Sequence, residues 1–276
     1  MDLKIQKPNK ESVMLSYFGL YKIEIDVGQI EPTIENRSIR GRSGFVHDRI
    51  TYKSRRIKVN SRIRCSNMLD FENKRVELSG LLFDEPYKIS CMLPNKTELY
   101  GFEMPGETTG EFKLPELTEL GYHWIVTATS LEFEHKGTSK AGIIFDVEIE
   151  FQTTELPFGT TDKKRFNDIA RVPPLIEGTA DVSQLEQPFM VELIPNGSNT
   201  KFYIEIDGRR FIYEYTATPF SSGKMLLNGI ETVLNGEVVN TRTNYQYFIL
   251  KAGKNISVKS DFKGTINLVD VQFLYK

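Results

Sequence analysis

The residues of this sequence best suited to acid–base chemistry are carboxylate pairs two positions apart. Glu132 and Glu134 form one pair, and Glu148 and Glu150 form another. Two carboxylates can act as acid and base when they flank a scissile bond. Within each pair, however, one apolar residue separates the two acids, which places both on the same face of a strand. Acids that share a strand face are usually solvated, so the pattern favours a charged surface over a catalytic site.

Nucleophilic and metal-dependent chemistry has less support still. The sequence contains no Gly-x-Ser-x-Gly, His-Glu-x-x-His, P-loop or dinucleotide-binding motif. Cys65 and Cys91 lack metal-type spacing, and so do His47, His123 and His135. We therefore expect no enzymatic activity, no metal and no cofactor. The two cysteines are expected to be buried thiols in a reducing compartment.

A different kind of site is indicated by the basic residues between positions 36 and 64. This stretch holds ten basic residues and one acid, Asp48, while the rest of the chain holds 25 basic and 36 acidic residues. Ile57, Val59 and Ile63 alternate there with basic and polar residues, as in a strand with one apolar and one cationic face. The basic residues are Arg37, Arg40, Arg42, Arg49, Lys53, Arg55, Arg56, Lys58, Arg62 and Arg64.

The cationic face has three interpretations. A solvated face is the simplest, but like charges on one strand face repel each other. A nucleic-acid surface would need stacking aromatics, and only Phe45 and Tyr52 are available. A subunit interface with an acidic partner surface is attractive, because the remainder of the chain is acidic. The residues we assign to such an interface are Arg37, Arg40, Arg42, Arg55, Arg56, Lys58 and Arg62. We expect Arg40, Arg42, Arg55 and Arg56 to contribute to assembly rather than to folding.

Length and composition predict a globular protein of two domains. The chain has 276 residues, of which 39% are hydrophobic and 26% charged. The first ten residues lack the apolar core of a secretion signal, and no apolar run is long enough to cross a membrane. Residues 156–185 lose periodicity and gather prolines and glycines. This predicts a domain at 1–155, a linker at 156–185 and a second domain at 186–276, and we expect residues 172–276 to fold alone.

Strand patterns dominate both predicted domains. One helix is predicted near 71–83, with Asp70 as its cap. Asp207-Gly208 and Asn235-Gly236 predict tight hairpins, because these dipeptides supply the positive φ values of type I′ turns. The short strands after the linker predict an antiparallel sandwich.

The two ends of the sequence resemble one family. The stretch I-R-G-R-S-G at 39–44, followed by Tyr52 and R-R-I-K-V at 55–59, resembles the opening of the distal tail proteins of siphophages that infect Gram-positive hosts. The stretch Y-F-I-L-K-A-G-K-N-I at 247–256 resembles the ending of the same proteins. It departs from them in having no proline before Leu250, and Leu227-Asn228 stands where the family often has an Ile-Asp pair.

The resemblance implies a mainly β fold and a structural role in the virion. It implies a β-sandwich-type N-terminal domain with one short helix that forms a ring, and a galectin-like antiparallel β-sandwich at the C-terminus. The ring, expected to be a hexamer, would join the major tail tube protein to a tail-associated fibre or lysin protein and would offer sites to receptor-binding proteins. DNA would pass through its channel without sequence-specific binding. Such a protein is made in the host cytoplasm and resides at the tail tip.

A carbohydrate-binding module in host wall recognition is the alternative. Sugar sites usually combine an aromatic platform with converging polar groups, and residues 172–276 contain no tryptophan and no histidine. Tyr203, Tyr213 and Tyr215 share one parity and are core or platform residues, with Tyr213 and Tyr215 as the candidate platform. We expect them to belong to the core, and we expect this part of the chain to bind no simple sugar.

Overall fold

The computed structural model describes residues 1–38, 40–41, 43–95, 116–140 and 142–276. The chain divides into two compact units, Met1–Pro157 and Phe158–Lys276, which we call the N-terminal and C-terminal units. Most of the described residues lie in strands, and these pair in antiparallel sheets, which confirms the mainly β fold. No helix in the described parts of the chain is long and apolar enough to cross a membrane.

The N-terminal unit contains one α-helix and eight strands among its described residues. In chain order these are β1 (Asp2–Gln6), β2 (Val13–Met14), a 3₁₀ turn (Leu15–Phe18), β3 (Leu20–Ser38), β4 (Phe45–Cys65), α1 (Met68–Leu82), β5 (Tyr87–Pro94), β6 (Leu117–Glu119), β7 (Trp124–Ser139) and β8 (Gly142–Thr153). The strands form one antiparallel sheet in the order β2-β1-β5-β7-β8-β4-β3, with β6 on β5. Hydrogen bonding thus links all eight strands of this unit into one continuous sheet, and β1 and β3 from its two ends are also in contact.

The predicted helix is present and begins slightly earlier than expected, at Met68. Its cap is Asn67, whose side-chain oxygen accepts a hydrogen bond from the backbone N–H of Asp70 at 2.9 Å. The Asp70 carboxylate accepts instead from the backbone N–H of Ser66 at 2.7 Å. The N-cap is therefore Asn67 and not the predicted Asp70, because an N-cap side chain accepts from the backbone N–H two or three residues further along. The Asp70 carboxylate stabilises the same helix start through its bond to Ser66.

Helix α1 packs on the sheet through aromatic and aliphatic side chains. The ring of Phe71 stacks on Phe145 with 4.0 Å between centroids and meets Phe133 edge-on at 5.3 Å. Leu78 and Leu82 on the same helix face are fully buried. This face supplies the apolar burial that makes a helix of 15 residues stable in a folded protein.

The two cysteines lie in the core of the N-terminal unit. Cys65 ends β4 and Cys91 lies in β5, and both are free and buried. The prediction of buried thiols is therefore confirmed. Cys65 also marks a close approach between strands, because a Cβ atom at Gly142 would lie 2.5 Å from the carbonyl oxygen of Cys65. Only glycine fits at the start of β8.

The C-terminal unit consists of short strands. In chain order these are β9 (Gly159–Thr160), β10 (Lys164–Phe166), β11 (Leu175–Ile176), β12 (Val182–Ser183), β13 (Met190–Pro195), β14 (Lys201–Ile206), β15 (Arg209–Glu214), β16 (Met225–Asn228), β17 (Glu231–Leu234), β18 (Glu237–Val238), a 3₁₀ turn (Asn240–Arg242), β19 (Ile249–Leu250), β20 (Lys254–Asn255), β21 (Val258–Ser260), β22 (Gly264–Val271) and β23 (Leu274–Tyr275). Two principal antiparallel sheets have the orders β10-β22-β13-β16-β17-β18 and β15-β14-β21.

Both predicted hairpins are confirmed. Asp207 and Gly208 join β14 to β15 with φ values of 47° and 85°, and Asn235 and Gly236 join β17 to β18 with 50° and 93°. Two consecutive positive φ values are what a type I′ turn requires. These turns fix the register of both hairpins locally.

The segment predicted as a linker, 156–185, is part of the C-terminal unit. Strands β9, β10, β11 and β12 lie within it, and each pairs with a strand near the C-terminus: β23, β22, β20 and β19 respectively. Ile169 and Val182 are fully buried. Strands of two or three residues are too short to show a period of two, so the sequence pattern looked irregular. Gly178 reflects close packing rather than flexibility, because a Cβ there would lie 2.5 Å from the carbonyl oxygen of Leu274.

Candidate assembly interface

The first feature of the predicted interface is a two-stranded ribbon, which we call the arm: Ile30–Ser38 of β3 with Phe45–Arg55 of β4. β4 pairs with β8 only from Arg56 to Cys65, whereas it pairs with β3 along nearly its whole length. At roughly 3.3 Å per residue, the ten steps from Arg55 to Phe45 carry the arm about 30 Å past the last β4–β8 pair. Among the described residues, no third strand accompanies it.

One face of the arm is apolar and exposed. Ile34 and Ile50 lie directly opposite each other in the β3–β4 register, and Pro32 faces Tyr52 on the same side of the ribbon. Ile34 is 55% exposed and Ile50 is 45% exposed. A lone two-stranded ribbon is marginally stable in water, so an exposed apolar face on it indicates a surface made for a partner.

The arm also carries exposed cations. Arg37, Arg40 and Lys53 are all exposed to solvent. Arg42, another predicted interface residue of this region, lies outside the described residues. Of the predicted set, Arg37 and Arg40 are therefore placed where an assembly contact could reach them.

Lys58 and Arg62, farther along β4, have their acidic partners within the same chain. The ammonium group of Lys58 lies 2.5 Å from a carboxylate oxygen of Glu148 and 4.0 Å from one of Glu150. The Nε of Arg62 donates to Asp146 at 2.7 Å. These pairs raise the pKa of Lys58 and of Arg62 and lower the pKa of Asp146. Strand β8 is thus an acidic surface that the cationic face of β4 meets inside its own subunit.

Acids outnumber cations on this outer face of the sheet. The β-ladder aligns Glu132, Glu148, Asn60 and Glu24 across four neighbouring strands. Like charges placed opposite each other are unfavourable. The groove along these strands has a volume of about 700 Å³. Its lining includes Lys22, Glu24, Asn60, Arg62, Glu132, Glu134, Asp146 and Glu148.

The carboxylate pairs of the sequence therefore lie on an open charged face. Glu134 lies 2.7 Å from the ammonium group of Lys136, and Glu132 is exposed. No cluster of histidine, cysteine and carboxylate side chains that could hold a metal ion is found in the described ranges. The arrangement offers electrostatic recognition rather than acid–base catalysis.

Arg55 and Arg56 occupy opposite environments although both were predicted to be exposed. Arg55 is only 6% exposed and shares the inward face of β4 with Ile57 and Val59. Its Nε has no hydrogen-bond partner among the described residues, and burial lowers its pKa. Arg56 is exposed and lies 3.7 Å from Glu31. The assignment of Arg55 to an exposed face is wrong, and its odd-numbered position in the alternation was the signal that could have shown it.

The tyrosines considered as a sugar platform are separated by the hairpin register. Tyr213 faces Phe202, while Tyr203 faces Ile212, so Tyr203 and Tyr213 point to opposite faces of the hairpin. Tyr213 is fully buried and its ring stacks on Phe202 with 5.2 Å between centroids, which confirms it as a core residue. Their shared odd numbering suggested one common face. Across this hairpin, however, odd-numbered residues lie opposite even-numbered ones, so Tyr203 and Tyr213 face opposite sides.

The remaining tyrosine rings are covered by arginines. The guanidinium carbon of Arg242 lies 3.8 Å from the ring centroid of Tyr215, and the guanidinium of Arg210 lies 4.6 Å from that of Tyr203. Cation–π stacking of this kind occupies the ring face that a sugar would need. Tyr215 is therefore placed in an intramolecular contact rather than on an open platform.

The edge of β15 beside these stacks is closed by one side chain. Asn244 accepts a hydrogen bond from the backbone N–H of Ile212 at 2.9 Å and donates to the carbonyl of Arg210 at 2.8 Å. It thereby satisfies the groups that an added strand would use.

Comparison with known proteins identifies the fold. No family model matches the sequence, and no curated protein sequence matches it. The structure is similar to the crystal structure of the Dit protein (gp 19.1) of SPP1, described as a paradigm of the hub adsorption apparatus in Gram-positive-infecting phages. The TM-score is 0.62 at 15% sequence identity, with 99% of each chain covered.

Two structures of the phage P2 baseplate in its activated conformation also match, at 10% identity. The calcium form has a TM-score of 0.35 and covers 99% of this chain and 97% of that one, and the strontium form has 0.39 with 98% and 97%. The likeness to SPP1 Dit extends over both units, so the fold is similar to that of this phage hub protein, in line with the family that the sequence motifs resemble.

Proposed function

We propose that this protein is a distal tail protein, a structural component of a siphophage virion whose copies form a closed ring at the tail tip. The observation that carries the proposal is the agreement in fold with SPP1 Dit over 99% of both chains. The sequence motifs at both ends of the chain point to the same family independently. The expected ring is a hexamer.

Self-association is supported by surfaces that the N-terminal unit leaves open. Strand β3 forms one edge of the sheet along all its 19 residues. Long open edges are templates for pairing with another chain, and isolated proteins usually shorten or cover them. The arm adds an exposed apolar face. In a ring these surfaces would meet a different face of the next copy, as head-to-tail contacts require.

In such a ring the protein joins the tail tube protein to a tail-associated fibre or lysin protein, and receptor-binding proteins attach to the same hub. DNA passes through the channel without sequence-specific contact. The acid excess on the outer sheet face supports this last point, because carboxylates repel the phosphate backbone that dominates nucleic-acid binding.

Light scattering of the purified protein tests the proposal directly. A closed ring should appear as a fixed multiple of the 31.7 kDa protomer that does not grow further with concentration, and negative-stain images should show annular particles. Monomer alone at every concentration, both with and without the tail tube protein, would contradict the proposal. Open-ended polymers without rings would also contradict it.

A further inference from the structure

The exposed side of helix α1 carries a stripe of large apolar residues, which we call the stripe: Leu69, Val76 and Phe83. Leu69 is 71% exposed, Val76 is 66% exposed and Phe83, the C-cap residue, is 50% exposed. Seven residues make nearly two helical turns, so these side chains follow one line on the side opposite the face that packs on the sheet. Gly80 lies between Val76 and Phe83, and a Cβ there would meet nothing within 4 Å. The stripe is thus open along its length.

We propose that the apolar face of the arm in one copy packs on the stripe of helix α1 in the neighbouring copy. The inference rests on the proposed ring and names the contact that closes it. The occupant of the stripe is a second copy of this chain, and the residues that enter the contact are Ile34 and Ile50.

Neither surface is covered within one chain. Ile34 and Ile50 are exposed, and so are Leu69 and Val76, so the two surfaces do not pack on each other in the protomer. At roughly 3.3 Å per residue, Ile50 lies about 50 Å along β4 from Cys65, the end of the strand from which the chain enters α1. An arm that points away from its own helix can reach the helix of another copy.

Apolar complementarity selects the stripe over the outer sheet face. Packing the arm on the outer face would press Ile34 and Ile50 against carboxylates and would remove those charges from water without giving them hydrogen-bond partners. Packing it on the stripe removes apolar surface from water on both sides. An α-helix on a two-stranded ribbon is also an ordinary packing of layers, because each supplies one apolar face.

Charges beside the two surfaces are complementary as well. At 100° per residue, Glu77 flanks the stripe on one side and is exposed, while Glu72 on the other side is paired with Arg75 of the same helix at 2.8 Å. Arg37 and Lys53 are exposed on the arm near its apolar face. Opposite charges around an apolar contact fix its register more than they raise its affinity. Each copy offers one arm and one stripe, so the contact is head-to-tail and closes into a ring.

Engineered disulfides test the contact in the full-length protein. The variant carrying Ile34→Cys and Val76→Cys should form, on mild oxidation, a ladder of covalent multimers that disappears with reductant. Background is low because Cys65 and Cys91 are buried. Mixing protein carrying only Ile34→Cys with protein carrying only Val76→Cys should give a linked dimer, which shows that the bond joins two copies.

The matched control moves one thiol to the outer sheet face. The variant with Ile34→Cys and Glu134→Cys should give no ladder, and each single variant oxidised alone should give no linked dimer. All substituted positions are exposed, so each variant should melt like the wild type.

The outcomes separate the inference from the proposed function. A ladder from the Glu134 pair but not from the Val76 pair would place the arm on the acidic face and overturn the inference. Intact rings with neither ladder would overturn the inference and leave the proposed ring standing. Absence of both rings and ladders would overturn both.

Discussion

The two units of the chain treat their strand edges in opposite ways. In the N-terminal unit, β3 and β4 run far past the pairing with β8, and large apolar side chains on the arm and on α1 remain in solvent. In the C-terminal unit, short strands pair back on each other, and Asn244 closes the edge of β15. Among the described residues, the N-terminal unit thus leaves a long strand edge open, while the C-terminal unit completes the pairing of its strands within itself.

Truncation of the C-terminal unit should have the largest effect, because it removes strands that pair within this unit. We expect residues 158–276 to fold alone and residues 172–276 to lose cooperative folding. The shorter segment lacks β9 and β10, which pair with β23 and β22, and it lacks the fully buried Ile169. It also loses the stacking of Phe166 on Phe273. Thermal melting followed by near-ultraviolet circular dichroism compares the two segments.

Equal cooperative transitions in the two segments would show that residues 158–171 only decorate the unit. The boundary that the sequence suggested, at 172, would then be correct. Circular dichroism of the whole chain supplies the reference spectrum.

The next largest expected effect is a difference in stability loss between an inward-facing and an outward-facing position of β4. Arg55→Glu should lower the free energy of unfolding of the N-terminal unit by about 1–3 kcal/mol, because it removes the packed Arg55 side chain and places a carboxylate beside Ile57 and Val59. Arg56→Glu, the matched control, should change it by less than about 0.5 kcal/mol, since Arg56 is exposed. Trp124 is the one tryptophan of the chain and is buried in this unit, so its fluorescence in urea reports this unit alone. Equal losses in the two variants would contradict the assigned environments.

The openness of the N-terminal unit predicts an effect on assembly without an effect on folding. Ile50→Asp or Val76→Asp should raise the concentration for half-assembly tenfold or more, because burying one such side chain contributes about 1.5–3 kcal/mol and 1.4 kcal/mol is a factor of ten. The melting of the protomer should change little. Ile230→Asp, at an exposed apolar position of the C-terminal unit, is the control. Light scattering over a dilution series measures the shift, and an equal shift in all three variants would remove the distinction between the units.

A smaller, pH-dependent change in stability is expected from the ion pair between Arg62 of β4 and Asp146 of β8. The pKa of Asp146 is depressed in the folded protein by its hydrogen bond to Arg62, so the pair stabilises the protein above the ordinary carboxyl pKa, near 4. That contribution is lost as the pH falls through the folded pKa. Asp146→Asn should therefore lower the urea midpoint of the Trp124 signal at pH 7 and show a smaller further drop at acid pH. Glu237→Gln, in the other unit, should leave both midpoints unchanged; a similar change there would argue against a local origin.

The last prediction is that the C-terminal unit does not bind simple sugars. Residues 158–276 titrated with galactose, glucose, N-acetylglucosamine or wall polysaccharide should give no saturable signal tighter than about 1 mM, which is roughly −4 kcal/mol. The reason is that Arg242 already covers Tyr215. A saturable signal that Tyr215→Ala removes would favour the carbohydrate-binding alternative. Tyr213→Ala is unsuitable for this test because Tyr213 is buried.

Local patterns in the sequence were reliable where local physics determines the structure. The alternation of Ile57, Val59 and Ile63 gave the inward face of β4, and the Asp207-Gly208 turn gave its hairpin, because strand period and turn geometry depend on neighbouring residues. The same alternation predicts that Arg55 faces inward. We assigned it to the exposed face because it is charged.

Contacts between distant residues could not be predicted in the same way. Arg62 and Asp146 are 84 residues apart, and the pairing of β4 with β8 that joins them leaves no trace in composition. The short strands of 159–183 likewise become visible only when their partners near the C-terminus are known. The seven-residue spacing of Leu69, Val76 and Phe83 is visible in the sequence. Whether these residues face the core or the solvent became clear only from the structure, in which the opposite side of α1 is the buried one.

Burial of the two thiols has a consequence for the lifetime of the protein outside a cell. Desolvation raises the pKa of Cys91 to about 11 and also raises that of Cys65, so neither forms appreciable thiolate near neutral pH. Thiolate is the form that reacts with oxidants and disulfides. Both thiols would therefore stay reduced in aerated solution, without any reductant to protect them.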